Sequence, residues 1–133
     1  EYGLEILKVQ EIIGLMSITR VPRTPEFVRG VINLRGKVIP IIDLRSKFRM
    51  EAVEDTEETC IIVVQTHGVQ FGVVVDRVSE VVDLKDDNIE EAPEFGADID
   101  TDYILGMGKS GSRVRILVDI DRVLSKEELG ELV

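Results

Sequence analysis

The feature that most restricts the fold of this 133-residue chain is a pattern that occurs twice. Tyr2-Gly3-Leu4-Glu5-Ile6-Leu7-Lys8-Val9-Gln10-Glu11-Ile12-Ile13 aligns without a gap to Phe71-Gly72-Val73-Val74-Val75-Asp76-Arg77-Val78-Ser79-Glu80-Val81-Val82, an offset of 69 positions. Both stretches open on an aromatic-glycine pair, then place valine, glutamate and two β-branched residues at matching positions. Pro25-Glu26-Phe27 recurs as Pro93-Glu94-Phe95 at an offset of 68. Gly30 and Gly106 each stand thirteen residues before an aspartate, Asp43 and Asp119, where the offset has grown to 76. Four anchors in one order indicate duplication. A duplicated chain of this length builds two small lobes, and neither can bury a large core alone.

Those lobes are expected to be sheet. The chain holds 19 valines and 15 isoleucines against 11 leucines. β-branched side chains lose rotamer freedom in a helix and pack well on a pleated surface. Tyr2–Val9, Cys60–Gln65, Val69–Val78 and Arg113–Val118 read as strands, with hairpin turns at Thr66-His67-Gly68 and Lys109–Ser112. Gly30–Ile42 reads as two strands joined around Arg35-Gly36-Lys37, with Pro40 at an edge or a bulge because it donates no ladder hydrogen bond. Asp43 and Asp119 are placed to cap single helical turns over Leu44–Phe48 and Ile120–Leu124. Ser125-Lys126-Glu127-Glu128 is a capping box for a short C-terminal helix. No connection holds a long amphipathic helix, so a βαβ arrangement is excluded. The expected fold is all-β, with one subdomain over 1–58 and a second over 59–133, and terminal strands free to cross between them.

Charge and composition exclude several functions. Sixteen basic and 26 acidic side chains leave a net charge of −10, which repels phosphate backbones and argues against nucleic acid as a partner. The charge is uneven: residues 1–50 sum to +4 and residues 51–133 to −14. Two differently charged regions suit selection of partners by electrostatic complementarity. No run of 18 apolar residues is present, so direct membrane insertion by a helix is not expected. The one cysteine, Cys60, allows no internal disulfide and reads as an inert, buried thiol. His67, the one histidine, falls in a turn without catalytic partners. Asp98, Asp100 and Asp102 have the alternation of a calcium loop, but Lys109 stands where its closing glutamate belongs. Neither catalytic residues, nor a metal site, nor a cofactor is expected. The sequence reads as a binder.

The most informative segment is Gly30-Val31-Ile32-Asn33-Leu34-Arg35-Gly36-Lys37-Val38-Ile39-Pro40-Ile41-Ile42-Asp43-Leu44. Its asparagine-leucine-arginine-glycine turn, followed by an apolar strand and aspartate-leucine, resembles the CheW family of bacterial chemotaxis coupling proteins. Ile6–Ile12, Thr24–Gly30, Ala92–Phe95 and Ile116–Ile120 resemble the same family, so the likeness runs from Tyr2 to about Leu132. It implies two SH3-like five-stranded β-barrels around a shared apolar seam. It also implies a non-catalytic adaptor in the cytoplasm, recruited to membrane-associated receptor arrays. The implied partners are the regulatory domain of the chemotaxis histidine kinase and the cytoplasmic hairpin tip of the chemoreceptors. The family normally carries one more strand ahead of the tyrosine-glycine pair. Without it, an open edge beside Tyr2–Leu7, or one filled by a neighbouring chain, is expected.

The resemblance also points to residues. Val9, Gly30 and Val81 match family positions associated with receptor or kinase coupling. Read without it, Val9 and Val81 are core strand residues and Gly30, which recurs as Gly106, is a backbone-geometry residue. Arg35, between Asn33 and Gly36, sits at a turn where a guanidinium can reach a carboxylate, and Glu11 is the acidic partner the resemblance supplies. That pair has two readings, a loop-fastening salt bridge and a shaped binding face. Asn33 is placed to hydrogen-bond its own turn and hold Arg35 in register. Two related parents stay open: the regulatory domain of a chemotaxis histidine kinase, and a coupling domain fused to a phosphoacceptor receiver.

Overall fold

The structure is a computed structural model and describes residues 2–4, 8–47, 51, 54–66, 68–78, 89–90, 104–110 and 113–120. Val81, His67, the Asp98–Asp102 alternation, Pro93-Glu94-Phe95 and the Ser125 capping box lie outside the described residues. Among the described residues, nine strands and one short helix follow in order: β1 Tyr2–Leu4, β2 Val9–Gly14, β3 Val28–Leu34, β4 Lys37–Asp43, α1 Leu44–Lys47, β5 Cys60–Thr66, β6 Val69–Val75, β7 Ile89–Glu90, β8 Ile104–Ser110 and β9 Arg113–Val118. They form a five-stranded sheet of order β2-β5-β6-β4-β3 and a four-stranded sheet of order β1-β9-β8-β7. The all-β expectation holds.

The compact units are Val9–Ser79 with Glu131–Val133, and Glu1–Lys8 with Glu80–Gly130. This differs from a division between residues 58 and 59. β5 and β6 pair antiparallel, β5 also pairs with β2, and β6 also pairs with β4, which ties the strands after residue 59 to those before it. Tyr2–Leu4 instead pairs in parallel with Ile116–Val118, so the first strand joins the unit that holds residues 80–130. The single strand expected over Tyr2–Val9 is therefore two elements, β1 and β2, in different sheets. β1 is a terminal strand of its sheet among the described residues, with β9 on one side.

Pairing follows the repeated pattern closely. Gly72 lies opposite Ile41 in the parallel β4–β6 pair, and Gly3 lies opposite Leu117 in the parallel β1–β9 pair. A Cβ on Gly72 would stand 2.6 Å from Ile41 Cδ1, and one on Gly3 would stand 3.0 Å from Leu117 Cδ2. The aromatic-glycine pair thus leaves room for the branched side chain across the ladder. In the β3–β4 and β8–β9 hairpins the register shifts by one residue just before the repeated glycine, between Val28 and Gly30 and between Ile104 and Gly106. Such a bulge bends the strand and increases its twist.

In the Val9–Ser79 unit the core is built from alternate inward residues. Ile32, Ile39, Ile41, Ile61, Val63 and Val74 form one buried cluster, with Ile13, Ile18 and Leu34 packed against it. Phe71, the aromatic of the repeated pair, is fully buried. Burying one such side chain contributes roughly 1.5–3 kcal/mol before entropy is counted.

Pro40 is not in an edge strand, since β4 lies between β3 and β6. Its position is nevertheless free of ladder demands. Val31, opposite Pro40, gives both its N–H and its C=O to Thr19, at 2.8 Å each. The pair therefore needs no N–H from proline, and pairing with β6 starts only at Ile41. The same two bonds join the segment after β2 to β3, strands at opposite ends of the sheet order. α1 starts as expected, with the Arg45 N–H donating to Asp43 Oδ1 at 3.0 Å.

Candidate functional site, a hairpin tip and the strand it meets

β3 and β4 are joined by Arg35 and Gly36 alone, because Leu34 pairs with Lys37. Both connecting residues have positive φ, 53° and 87°, as a two-residue turn that matches the right-handed strand twist requires. Gly36 adopts this freely, but an L side chain in the left-handed region costs about 1–2 kcal/mol. Asn33 offsets part of that cost by accepting the Gly36 N–H on Oδ1 at 2.9 Å. The hydrogen bond expected between Asn33 and its own turn is present.

Arg35 leaves this tip and donates from Nη2 to Glu11 Oε1 on β2. The guanidinium side is 69% exposed and the carboxylate side 29%, so the pair contributes under about 1 kcal/mol to stability. The pairing named from the resemblance is present. β2 itself carries a bulge: Val9 faces Val64 and Glu11 faces Val63, leaving Gln10 as the extra residue. Val9 is half-buried beside this bulge. Gln10 donates from Nε2 to Gln65 Oε1 at 2.5 Å and accepts from Gln70 Nε2, forming an amide ladder over β2, β5 and β6.

Gly30 belongs to the same neighbourhood by backbone alone. It is buried, has φ of 143°, and a Cβ there would stand 2.1 Å from the Thr19 carbonyl oxygen. Only glycine fits. The structure thus brings together Arg35, Glu11, Asn33 and Gly36, with Val9 and Gly30 on the strands that carry them.

Several features here were missed in the sequence. Ile12, Leu15 and Met16, in and just after β2, are exposed apolar residues, and the glutamine ladder was not anticipated. Once Val9–Gly14 is taken as a strand, its alternation turns Gln10 and Ile12 outward. Val38, beside the hairpin tip, is 66% exposed, and Val114, at the matching place in β9, is 58% exposed.

Electrostatics outside the tip are structural in character. Arg29 holds Asp55 with two hydrogen bonds, at 2.9 and 3.2 Å, and these keep that carboxyl below its ordinary value. Arg45 does the same to Asp76. Cys60 is half-buried rather than fully buried as expected, and desolvation pushes its thiol up. Among the described residues no group of three metal-binding side chains is present, and no helix is long and apolar enough to cross a membrane.

The described residues form two all-β units, and the Val9–Ser79 unit carries a strained turn beside an ion pair. The chain belongs to the CheW-like domain family, whose model matches residues 1–128. It is 49% identical over 129 residues to the chemotaxis protein CheW of Klebsiella aerogenes, covering 97% of this chain and 78% of the relative. It is 38% identical to the chemotaxis protein CheW of Bacillus subtilis, covering 96% and 81%. Among solved structures it is similar to the scaffolding protein TtCheW from Thermoanaerobacter tengcongensis, with a TM-score of 0.86, 36% identity and coverage of 96% and 82%. Membership places the chain among non-catalytic adaptors of chemotaxis signalling.

Proposed function

We propose that this chain couples the cytoplasmic hairpin tips of chemoreceptors to the regulatory domain of the chemotaxis histidine kinase, so that receptor state controls autophosphorylation elsewhere. It works in the cytoplasm, recruited to receptor arrays. The relatives' names support the setting, and the Arg35 turn supports the site. A left-handed arginine, where asparagine or glycine is far easier, is a backbone cost retained for its side chain. Its pairing with Glu11 holds an exposed guanidinium at β2, the strand that also carries the exposed Ile12 and the half-buried Val9. Such a patch has the composition of an interface, with apolar anchors and a charge that selects the partner. Val9, Glu11, Asn33, Arg35 and Gly36 are read as surface or surface-shaping, and Gly30 as shaping through the backbone. Val81, at the place matching Ile12 in the repeat, is the expected equivalent in the second copy. Curling of the five-stranded sheet through Thr19 and Val31 supports an SH3-like barrel, and the matched glycines and bulges support duplication.

The test is reconstitution of receptor cytoplasmic domains and kinase with either the natural chain or Arg35→Glu. The variant is expected to keep its fold, with a stability change within about 1 kcal/mol. Receptor control of kinase activity is expected to fall by about tenfold, the scale of one lost interface anchor. Equal control by the variant would remove Arg35 from the site. A natural chain that binds neither partner would remove the reading altogether.

A further inference from the structure

Glu11, the carboxylate that Arg35 reaches, sits in β2 directly after an irregularity. Pairing with β5 runs Ile13 to Ile61, Ile12 to Ile62 and Glu11 to Val63, then passes to Val9 opposite Val64. Gln10 is left without a residue of its own across the ladder, as the extra member of a bulge is. In a plain strand consecutive residues take opposite faces, which would separate Gln10 from Glu11. The bulge lifts that restriction. Glu11 shares a face with Val63, and Gln65 lies two positions along the same face. Gln70, opposite Gln65, lies on it too. Gln10 donates from Nε2 to Gln65 Oε1 at 2.5 Å and accepts from Gln70 Nε2. Two consecutive residues of β2 therefore serve one face, Gln10 through the amides and Glu11 through Arg35.

The two halves of the Arg35–Glu11 pair are placed by different means. Arg35 is set by its own turn, through positive φ at Arg35 and Gly36 and the Asn33 bond. That turn does not place Glu11. β2 and the β3–β4 hairpin are not neighbours in the sheet order, so no shared ladder aligns them. We propose that Gln10 is a positioning residue for this pair: bonded to Gln65 and Gln70, it fixes the bulge that presents Glu11 to the hairpin tip. This rests on the adaptor reading above, in which the pair shapes the binding face. The contact with a partner is assigned to Arg35, and Gln10 acts through Glu11.

The experiment uses the full chain as Gln10→Met, which removes both amide bonds and keeps an unbranched side chain. Amide hydrogen exchange at Gln10 and Glu11 is expected to rise about fivefold, while Ile61–Val64 stay protected to within about twofold, as for a local opening. In reconstitution with receptor cytoplasmic domains and kinase, Gln10→Met should lower receptor control of kinase about threefold, the scale of lost exposed hydrogen bonds. Added to Arg35→Glu, the same substitution should change control by less than about 1.5-fold, because both act through one pair. Gln65→Glu, which keeps an acceptor for Gln10 Nε2, should retain most of the control. Unchanged exchange at Gln10 and Glu11 would overturn the proposal. So would an equal loss in both backgrounds, or a loss of core protection, either of which makes Gln10 merely structural. A natural chain that gives no receptor control would strike the adaptor reading, and exchange would still decide whether the amides hold the bulge.

Discussion

Gly72 and Gly3 stand at matching places in the repeat and face matching partners, yet their surroundings differ. β6 is flanked by β5 and β4, and a Cβ on Gly72 would meet both Ile41 Cδ1 at 2.6 Å and Ile61 Cγ2 at 2.7 Å. Both isoleucines are fully buried. Among the described residues β1 is a terminal strand, and a Cβ on Gly3 would meet only Leu117 Cδ2, at 3.0 Å. One half-exposed leucine can turn aside; two interlocked core isoleucines cannot. The same motif therefore makes a rigid centre in one unit and an adjustable edge in the other.

The largest effect is expected at Gly30, where the obstacle is backbone. Gly30→Ala would drive a methyl into the Thr19 carbonyl at φ of 143°, and a loss of about 3 kcal/mol or more in urea unfolding is expected. A loss below about 1 kcal/mol would show that the Thr19 segment yields. Next comes the direct contrast between the glycines. Gly72→Ala should cost about 2 kcal/mol and Gly3→Ala under about 1 kcal/mol, by the overpacking scale. Equal costs would erase the distinction between centre and edge.

The smallest effect is on acid stability of the Val9–Ser79 unit. Asp55 and Asp76 have folded values below their ordinary 3.8, each chiefly through arginine hydrogen bonds. The unfolded chain therefore binds these protons first, so their contribution is present above that value and is lost as pH falls through the lower folded values. Unfolding followed from about pH 5 downward should be less steep in an Asp55→Asn, Asp76→Asn variant than in the natural chain. An identical slope would mean that exposure and solvent screening cancel both pairs.

Much of this was legible because it depends on local chemistry. The β3–β4 hairpin was readable from Arg35-Gly36 between two apolar runs, since only a turn that tolerates positive φ can join them. The cap at Asp43 was readable because its carboxylate acts two residues away. The strand over Tyr2–Val9 was not separable into β1 and β2. Alternation reports which face a side chain takes and says nothing of which sheet it joins. β7 and β8 were not picked out individually, because Glu90 lies in an acidic run and Gly106 and Gly108 weaken the strand signal.

The order of residues alone determined an all-β chain with a repeated pattern, a tight Arg35-Gly36 turn and no evident machinery for catalysis. Those features follow from side-chain branching, glycine's freedom and the absence of partnered nucleophiles, which act over a few positions. Tertiary structure alone decided that Tyr2–Leu4 pairs with β9, that Pro40 sits opposite the non-bonding side of Val31, and that Arg45 grips Asp76. Each depends on groups far apart in the chain, whose meeting is set by how sheets register and curl rather than by any property of the neighbours in sequence.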